Sequence, residues 1–314
     1  MRLHDLVDTY VDFKRSLGMR FCSDAGVLRA FCRAVGEIDV ADVKPEVVLA
    51  FIAGTGPVTA QWRQKFRVLG SFYSYALGRG FATTSPLPTT VPKLPPPLTP
   101  YIYCTDELKR LLAATDTLQT PKSPLQALTL RTLLLLLYGT GMRIGEALSL
   151  ALYDFDLTNR VLTVRDTKFF KSRLVPIGPQ LTRLLAAYAR QRRQLPMPAG
   201  EASAFFATRT GNWLQYGNVG RLFRRARMVA GIRRESGARY QPRIHDMRHT
   251  AALHRLIAWY RAGADVQRLL PQLATYLGHV DVGSTQRYLS MTPELLHEAS
   301  QRFEQYAQPE TYHE

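Results

Sequence analysis

The chain has 314 residues, 46% of them hydrophobic, and carries 41 Lys+Arg against 25 Asp+Glu, a formal net charge of +16 and a pI near 10.0. That length fits two ordinary domains or one large one, and that apolar content excludes a disordered tail protein. The excess of positive charge calls for a polyanionic partner, either nucleic acid or an anionic membrane surface.

The first 80 or so residues read as short helices. Leu3, Leu6, Val7, Tyr10 and Val11 recur at helical spacing, and Gly18 ends the stretch. A second helix is expected over Asp24–Val35, and a third from Pro45 to about Gly54. A fourth, from about Thr59 to Leu77, carries Trp62, Phe66, Leu69, Phe72, Tyr73 and Ala76 on one side. Arg63, Lys65 and Arg67 on its polar side read equally as solvated positions or as DNA contacts. The stretch TTSPLPTTVPKLPPPLTP, residues 83–100, is too proline-dense for a helix and favours an extended spacer.

Beyond the spacer the pattern becomes mixed. Asp106–Ala114, Pro124–Tyr138 and Gly145–Leu150 look helical, whereas Leu152–Leu157, Val161–Arg165 and Arg173–Ile177 read as strands. The last two would form a hairpin whose connection holds Lys168 and Lys171. From Leu181 the chain is again mostly helical, with a break around Thr208–Asn212. The segment between Arg248 and His279 reads as two helices broken near Gly263 and Pro271. Pro293–Tyr306 has Leu295, Leu296, Ala299 and Phe303 along one stripe of an amphipathic helix, which would fold back on its own domain or dock on a neighbouring subunit.

Charge is unevenly spread. Residues 1–90 hold 11 Lys+Arg and 8 Asp+Glu, and the remainder holds 30 and 17. Residues 208–248 alone contain ten arginines, Arg224 and Arg225 among them. Arginine suits phosphate because its planar fork donates two parallel hydrogen bonds. Cys22, Cys32 and Cys104 fit neither a disulfide framework nor zinc-ligand spacing, and are expected to be reduced core residues of a cytoplasmic protein. The start, MRLHDLVDTY, lacks a signal peptide's apolar stretch, and Leu133–Leu137 is far short of the ~20 residues that span a bilayer, so a membrane partner is disfavoured.

Four motifs carry chemistry. GTGMRIGEALSL sets Arg143 after a Gly-rich turn with Glu146 three residues on. TKFFKSRLVPIG is the lysine-bearing hairpin, which also contains Arg173. HDMRHT places His245 and Arg248 one helical turn apart. YLGHVDVGSTQRYLSM puts His279 nine residues before Tyr288. Glu146, Asp166 and Asp246 are isolated among basic residues, unlike the clustered carboxylates of two-metal nucleases, so no metal or other cofactor is expected.

In this order and at these spacings the motifs resemble those of the tyrosine recombinases, also called the phage-integrase family, in which an Arg–Lys–His-x-x-Arg–His/Trp–Tyr set surrounds one phosphate. The resemblance implies a fold that is mainly α with a small antiparallel β-sheet. It implies a helical DNA-clamping (core-binding) domain over 1–82, the Pro-rich linker 83–100, and a mixed α/β catalytic domain over 101–314 with a C-terminal interaction helix. Arg143 and Arg248 would hold the phosphate oxygens and offset charge that builds in the transition state. Tyr288 would be the nucleophile, His245 its general base, His279 a hydrogen-bond donor to the phosphate, and Lys168 the acid that protonates the leaving 5′ oxygen. Glu146 and Asp246 would orient these groups. Lys168 fits the family's hairpin-turn position better than Lys171, although Phe169 and Phe170 replace the small polar residues usual there. Tyr276, Tyr306 and Tyr312 do not match the family's spacing from the His279 motif. The long Arg248–His279 segment resembles recombinases of transposon-like elements.

The implied activity is site-specific recombination through a covalent 3′-phosphotyrosyl intermediate, with no metal and no ATP. The implied partners are double-stranded DNA and three further subunits in a tetramer, alone or with sister recombinases, with no small-molecule substrate. The chain would be cytoplasmic and associated with the bacterial nucleoid when bound. Arg63, Lys65, Arg67, Lys171, Arg173, Arg224 and Arg225 are the candidate DNA contacts. Two other readings stay open, a type IB topoisomerase and a catalytically silent DNA-binding accessory protein.

Overall fold

The computed structural model describes residues 1–301 apart from positions 94, 97, 124, 166–171, 236, 237, 239, 279–282 and 287–294. The chain divides into two compact units, one built on Met1–Leu98 and the other running from Thr99 onward.

The first unit is helical: α1 (Leu3–Ser16), α2 (Cys22–Val35), α3 (Pro45–Ala53) and α4 (Ala60–Gly78). Each helix buries the stripe its sequence marks. Leu3, Leu6, Val7, Tyr10 and Val11 of α1 are all buried, as are Trp62, Leu69, Phe72, Tyr73 and Ala76 of α4. Phe66 stacks on Trp62 at 5.2 Å between ring centroids. Thr59 caps α4 by accepting the Gln61 N–H, and Pro45 opens α3 as its first residue. The α2 helix begins at Cys22 rather than Asp24. Full burial of one such aromatic or leucine contributes roughly 1.5–3 kcal/mol, against ~0–1 kcal/mol for an exposed ion pair such as Arg67–Asp24 at 3.2 Å. Packing therefore decides this unit's stability. Leu87, in the proline-rich stretch, packs against the same core.

The second unit contains α5 (Thr105–Ala114), α6 (Gln126–Thr140), α7 (Ile144–Leu148), a three-stranded sheet, α8 (Pro179–Arg192), α9 (Tyr216–Val229), α10 (Asp246–Arg261), α11 (Val266–Leu277) and the short α12 (Gly283–Gln286). The sheet, β1 (Phe155–Asp156), β2 (Val161–Val164) and β3 (Arg173–Pro176), is antiparallel in the order β1-β2-β3, with Leu162 opposite Val175. This is a mainly α fold with a small antiparallel sheet. The α6 helix is apolar nearly all round, burying Leu130, Leu133, Leu134, Leu136 and Leu137, which marks it as the centre of the core.

Three expectations are corrected. Leu152–Asp154 forms a 3-10 turn rather than the start of a strand, because the Asp154 carboxylate folds back onto the Ala151 N–H at 2.9 Å and accepts from Arg165 Nε at 2.7 Å. The chain breaks at Gly263, with φ 66°, but not at Pro271, which lies inside α11. An interior proline costs ~3 kcal/mol. Burial of Leu270, Leu273 and Leu277 against α10 outweighs it at roughly 1.5–3 kcal/mol each. Of the cysteines, only Cys32 is buried; Cys22 and Cys104 are exposed.

The expected tail helix meets helical backbone at residues 295–301, and positions 293, 294 and 302–306 lie outside the described residues. Leu295 is buried in the α10–α11 cluster and Glu298 pairs with Arg261 at 2.8 Å, so this stretch packs on its own unit. No helix among the described residues is long and apolar enough to cross a membrane.

Candidate active site

The Gly-rich turn ending α6 sets the first arginine. Gly141 adopts φ 62°, and its N–H closes the helix onto Leu137. Arg143 then takes the N-cap position of α7, and Glu146, three residues on, reaches back to accept the Arg143 N–H at 3.0 Å. The same carboxylate accepts Arg143 Nη1 at 3.0 Å. This is the reciprocal half of a capping box, applied to an arginine.

Backbone carbonyls then join motifs that are far apart in sequence. Arg143 donates through both Nη1 and Nη2, each at 3.2 Å, to the carbonyl of Gly278, the residue before His279. Arg248 donates through Nη1 at 2.7 Å to the carbonyl of Gly141, two residues before Arg143. Arg173, at the start of β3, forks onto Glu146 with bonds of 2.8 and 3.2 Å. The GTGMR, hairpin, HDMRHT and YLGH segments thus meet around Arg143. Two of these junctions need glycine. A Cβ on Gly141 would lie 2.5 Å from Leu277 Cδ2, and one on Gly278, whose φ is +71°, would lie 2.8 Å from Arg173 Nη1.

The third motif opens α10. His245 is its N-cap residue and Arg248, 3% exposed, lies in its first turn. Asp246 is buried and accepts both the Arg243 N–H at 2.8 Å and Arg243 Nη2 at 2.9 Å. Tyr103 supports the turn from outside, donating its hydroxyl to the Arg243 carbonyl and its N–H to Thr250 Oγ1. Burial pushes the half-buried His245 imidazole below its ordinary value. Arg248, Arg243 and Arg143 push the same way, and Asp246 opposes them. His245 is therefore neutral at pH 7, the form that can accept a proton. His249 stands edge-on to it at 5.2 Å between centroids and is held down to about 4, by burial first and then by His245.

Arg143 is the accessible arginine of the pair, with 43% of its side chain exposed. Its Nε–H and one Nη2–H are not taken by any described residue, leaving two parallel donors of the kind an oxyanion accepts. Lys168, Lys171, His279 and Tyr288 lie outside the described residues. Among the described residues no group of three or more His, Cys, Asp or Glu side chains is arranged to hold a metal ion.

The candidate DNA contacts divide. Arg63 and Arg67 are exposed on α4, Arg67 paired with Asp24, whereas Lys65 donates to the Phe51 carbonyl inside its own unit. Arg224 and Arg225 are exposed on α9. Arg173 is largely buried against Glu146. Other members of the Arg-rich segment serve the fold: Arg227 is buried against the Pro242 carbonyl, and Arg234 donates to Thr99 and lies over the Tyr101 ring. The sequence pattern missed the Gly278 carbonyl and the Glu146–Arg173 bridge, which no local spacing signals. It also missed His249, although its i,i+4 relation to His245 was visible.

Comparison with known proteins identifies the family. Residues 104–294 match the family model described as "Phage integrase family". The chain is 35% identical over 305 residues to a Sinorhizobium fredii protein named integrase/recombinase y4rB, covering 95% of this chain and 96% of that one. It is 32% identical to tyrosine recombinase XerD of Caulobacter vibrioides, covering 82% and 80%. Among solved structures, the Tn1549 transposon integrase in complex with transposon right end DNA superposes with a TM-score of 0.68 at 16% identity, over 98% of this chain and all of that one. A lambda integrase tetramer bound to a Holliday junction gives 0.63 at 18% identity, over 92% and 77%. The chain belongs to the phage integrase family, the tyrosine-type site-specific recombinases.

Proposed function

We propose that the protein cuts and rejoins duplex DNA at a specific site, with Tyr288 as the nucleophile. The Tyr288 hydroxyl oxygen forms a bond to phosphorus while its proton passes to neutral His245. The bond from phosphorus to the 5′ oxygen breaks, and Lys168 protonates that oxygen. The products are a 3′-phosphotyrosyl enzyme and a free 5′ hydroxyl. Because the ester conserves the bond's energy, a 5′ hydroxyl from a partner strand reverses the step without ATP. Arg143 and Arg248 neutralise the developing charge in place of a metal ion. The supporting observation is the convergence of Arg143, His245 and Arg248, with the residue preceding His279 fastened to Arg143.

The same reading assigns residues 1–82 to DNA clamping, 83–100 to a linker and 101–314 to catalysis, with assembly as a tetramer on two DNA segments. Relatives solved on DNA as dimers and tetramers support that assembly. A duplex nicked near the cleavage point tests the chemistry. Wild type should form an SDS-resistant protein–DNA adduct in the presence of EDTA, and Tyr288→Phe should not. An adduct from the Phe variant, or one that EDTA abolishes, refutes the reading.

A further inference from the structure

We propose that Arg173 is a positioning residue for Arg143: it neutralises Glu146, so that the Arg143 charge stays uncompensated and its guanidinium stays oriented for the phosphate. The inference rests on reading Arg143 as a phosphate ligand.

The Glu146 carboxylate is shared. Arg173 gives it two bonds, Nη2 to Oε2 at 2.8 Å and Nη1 to Oε1 at 3.2 Å, and Arg143 Nη1 joins the latter oxygen at 3.0 Å. The side chains of Glu146 and Arg173 are 10% and 15% exposed, while Arg143 is 43% exposed. One buried cation thus answers one buried anion, and the accessible cation is left with a net positive charge to offer. Without Arg173 the same carboxylate would face Arg143 alone among the described residues. The pair would be formally neutral, and the guanidinium would be drawn inward along the carboxylate.

The geometry adds a second constraint. The Arg173 guanidinium lies so close to the Cα of Gly278 that an added Cβ would sit 2.8–2.9 Å from its Nη1 and Cζ atoms. Arg173 therefore backs the residue whose carbonyl accepts both Nη groups of Arg143. Arg173, Glu146, Arg143 and Gly278 form a closed ring of contacts, and three of the four members sit on different elements. With both Nη atoms committed to a carboxylate, Arg173 is better placed to hold Glu146 than to make the DNA contact expected from its place in a basic hairpin.

A double substitution separates a positioning role of Arg173 from a direct phosphate contact and from a purely structural one. DNA affinity over a range of salt, and the single-turnover rate of adduct formation on the nicked duplex, are measured for wild type, Arg173→Lys, Arg173→Met, and Arg173→Met combined with Glu146→Gln. Arg173→Met should slow adduct formation roughly 10-fold or more, and any fall in affinity or salt slope should stay within that of one lost phosphate contact, that of Arg143. Adding Glu146→Gln removes the uncompensated carboxylate and should recover a clear part of the rate. Arg173→Lys, which keeps the charge without the fork, should fall between wild type and Arg173→Met, and it serves as the reference if the Met variants melt early. Three results overturn the inference: an Arg173→Met rate equal to wild type, a lowered salt slope that the double variant does not restore, as for a phosphate contact of Arg173 itself, or a double variant no faster than Arg173→Met. If wild type itself forms no adduct, the phosphate-ligand reading fails and this inference fails with it.

Discussion

Arg248 Nη1 lies 2.7 Å from the carbonyl oxygen of Gly141, across 107 residues of sequence, so the arginine that opens α10 is tied to the turn that presents Arg143. The two guanidinium groups therefore share a main-chain frame. Replacing either arginine by lysine keeps a charge but loses the fork that, in the proposed reaction, would bind frame and phosphate together. Arg143→Lys and Arg248→Lys should each lower the single-turnover cleavage rate ~10²–10³-fold. Arg143→Lys should do so with little change in melting temperature, whereas Arg248→Lys should also destabilise, because Arg248 is 3% exposed. Equal rates for the lysine and native proteins contradict the assignment.

Gly278 adopts φ +71° against Arg173, so Gly278→Ala meets both a left-handed backbone penalty and a steric clash. The backbone term alone is ~1–2 kcal/mol, which lowers Tm by roughly 2–8 °C for a unit of this size. Cleavage should fall further than stability, since the carbonyl that seats Arg143 moves with the residue. Calorimetry alongside adduct formation checks both.

His245 is depressed by burial and by three arginines, so its neutral form persists below the ordinary histidine value of about 6.5. If it is the general base, the acid limb of the cleavage–pH profile should fall at a lower pH than that. Asp246 opposes the depression, so Asp246→Asn should move the limb lower still. The same variant should cost ~1–3 kcal/mol of stability, because a buried carboxylate that accepts two Arg243 bonds is replaced by a poorer acceptor. An acid limb at or above 6.5 in the native protein argues against His245 as base.

His249 is held down to about 4 in the folded protein. The unfolded chain binds a proton near 6.5 and the folded one does not, so between these values stability falls as pH falls. His249 thus contributes stability that is complete above about 6.5 and lost on descending to about 4. His249→Gln should flatten this part of the Tm–pH curve. A curve unchanged by the substitution rejects the assignment.

Arg224 and Arg225 are exposed side by side on α9. If both meet phosphate, Arg224→Ala/Arg225→Ala should lower the slope of log affinity against log salt by up to ~2, with weakening alike on specific and random duplex. An unaltered slope places them off the DNA.

Much of the fold was legible because its signals are local. The apolar stripe of α4, the proline opening α3 and the glycines ending α1 and α6 each act within a few residues. The strand expected at Leu152–Leu157 forms only at Phe155–Asp156, because Asp154 found a backbone partner three residues away, and the break expected at Pro271 failed because distant leucine packing outweighed it. In the site, Arg143, His245 and Arg248 could be chosen by motif. The Arg143–Gly278 and Arg173–Glu146 contacts span 135 and 27 residues. They involve a carbonyl that every residue possesses and an ion pair that composition does not specify, so only the folded arrangement shows them.

The frame of the two arginines has a consequence for how the protein tolerates change. Each guanidinium is aimed by a peptide oxygen, which no codon change can delete. Neighbouring side chains other than Glu146 and Arg173 can change without removing either bond. That latitude ends at Gly141 and Gly278 themselves, where a left-handed backbone and a methyl group 2.5 Å from Leu277 Cδ2 or 2.8 Å from Arg173 Nη1 make any side chain strained.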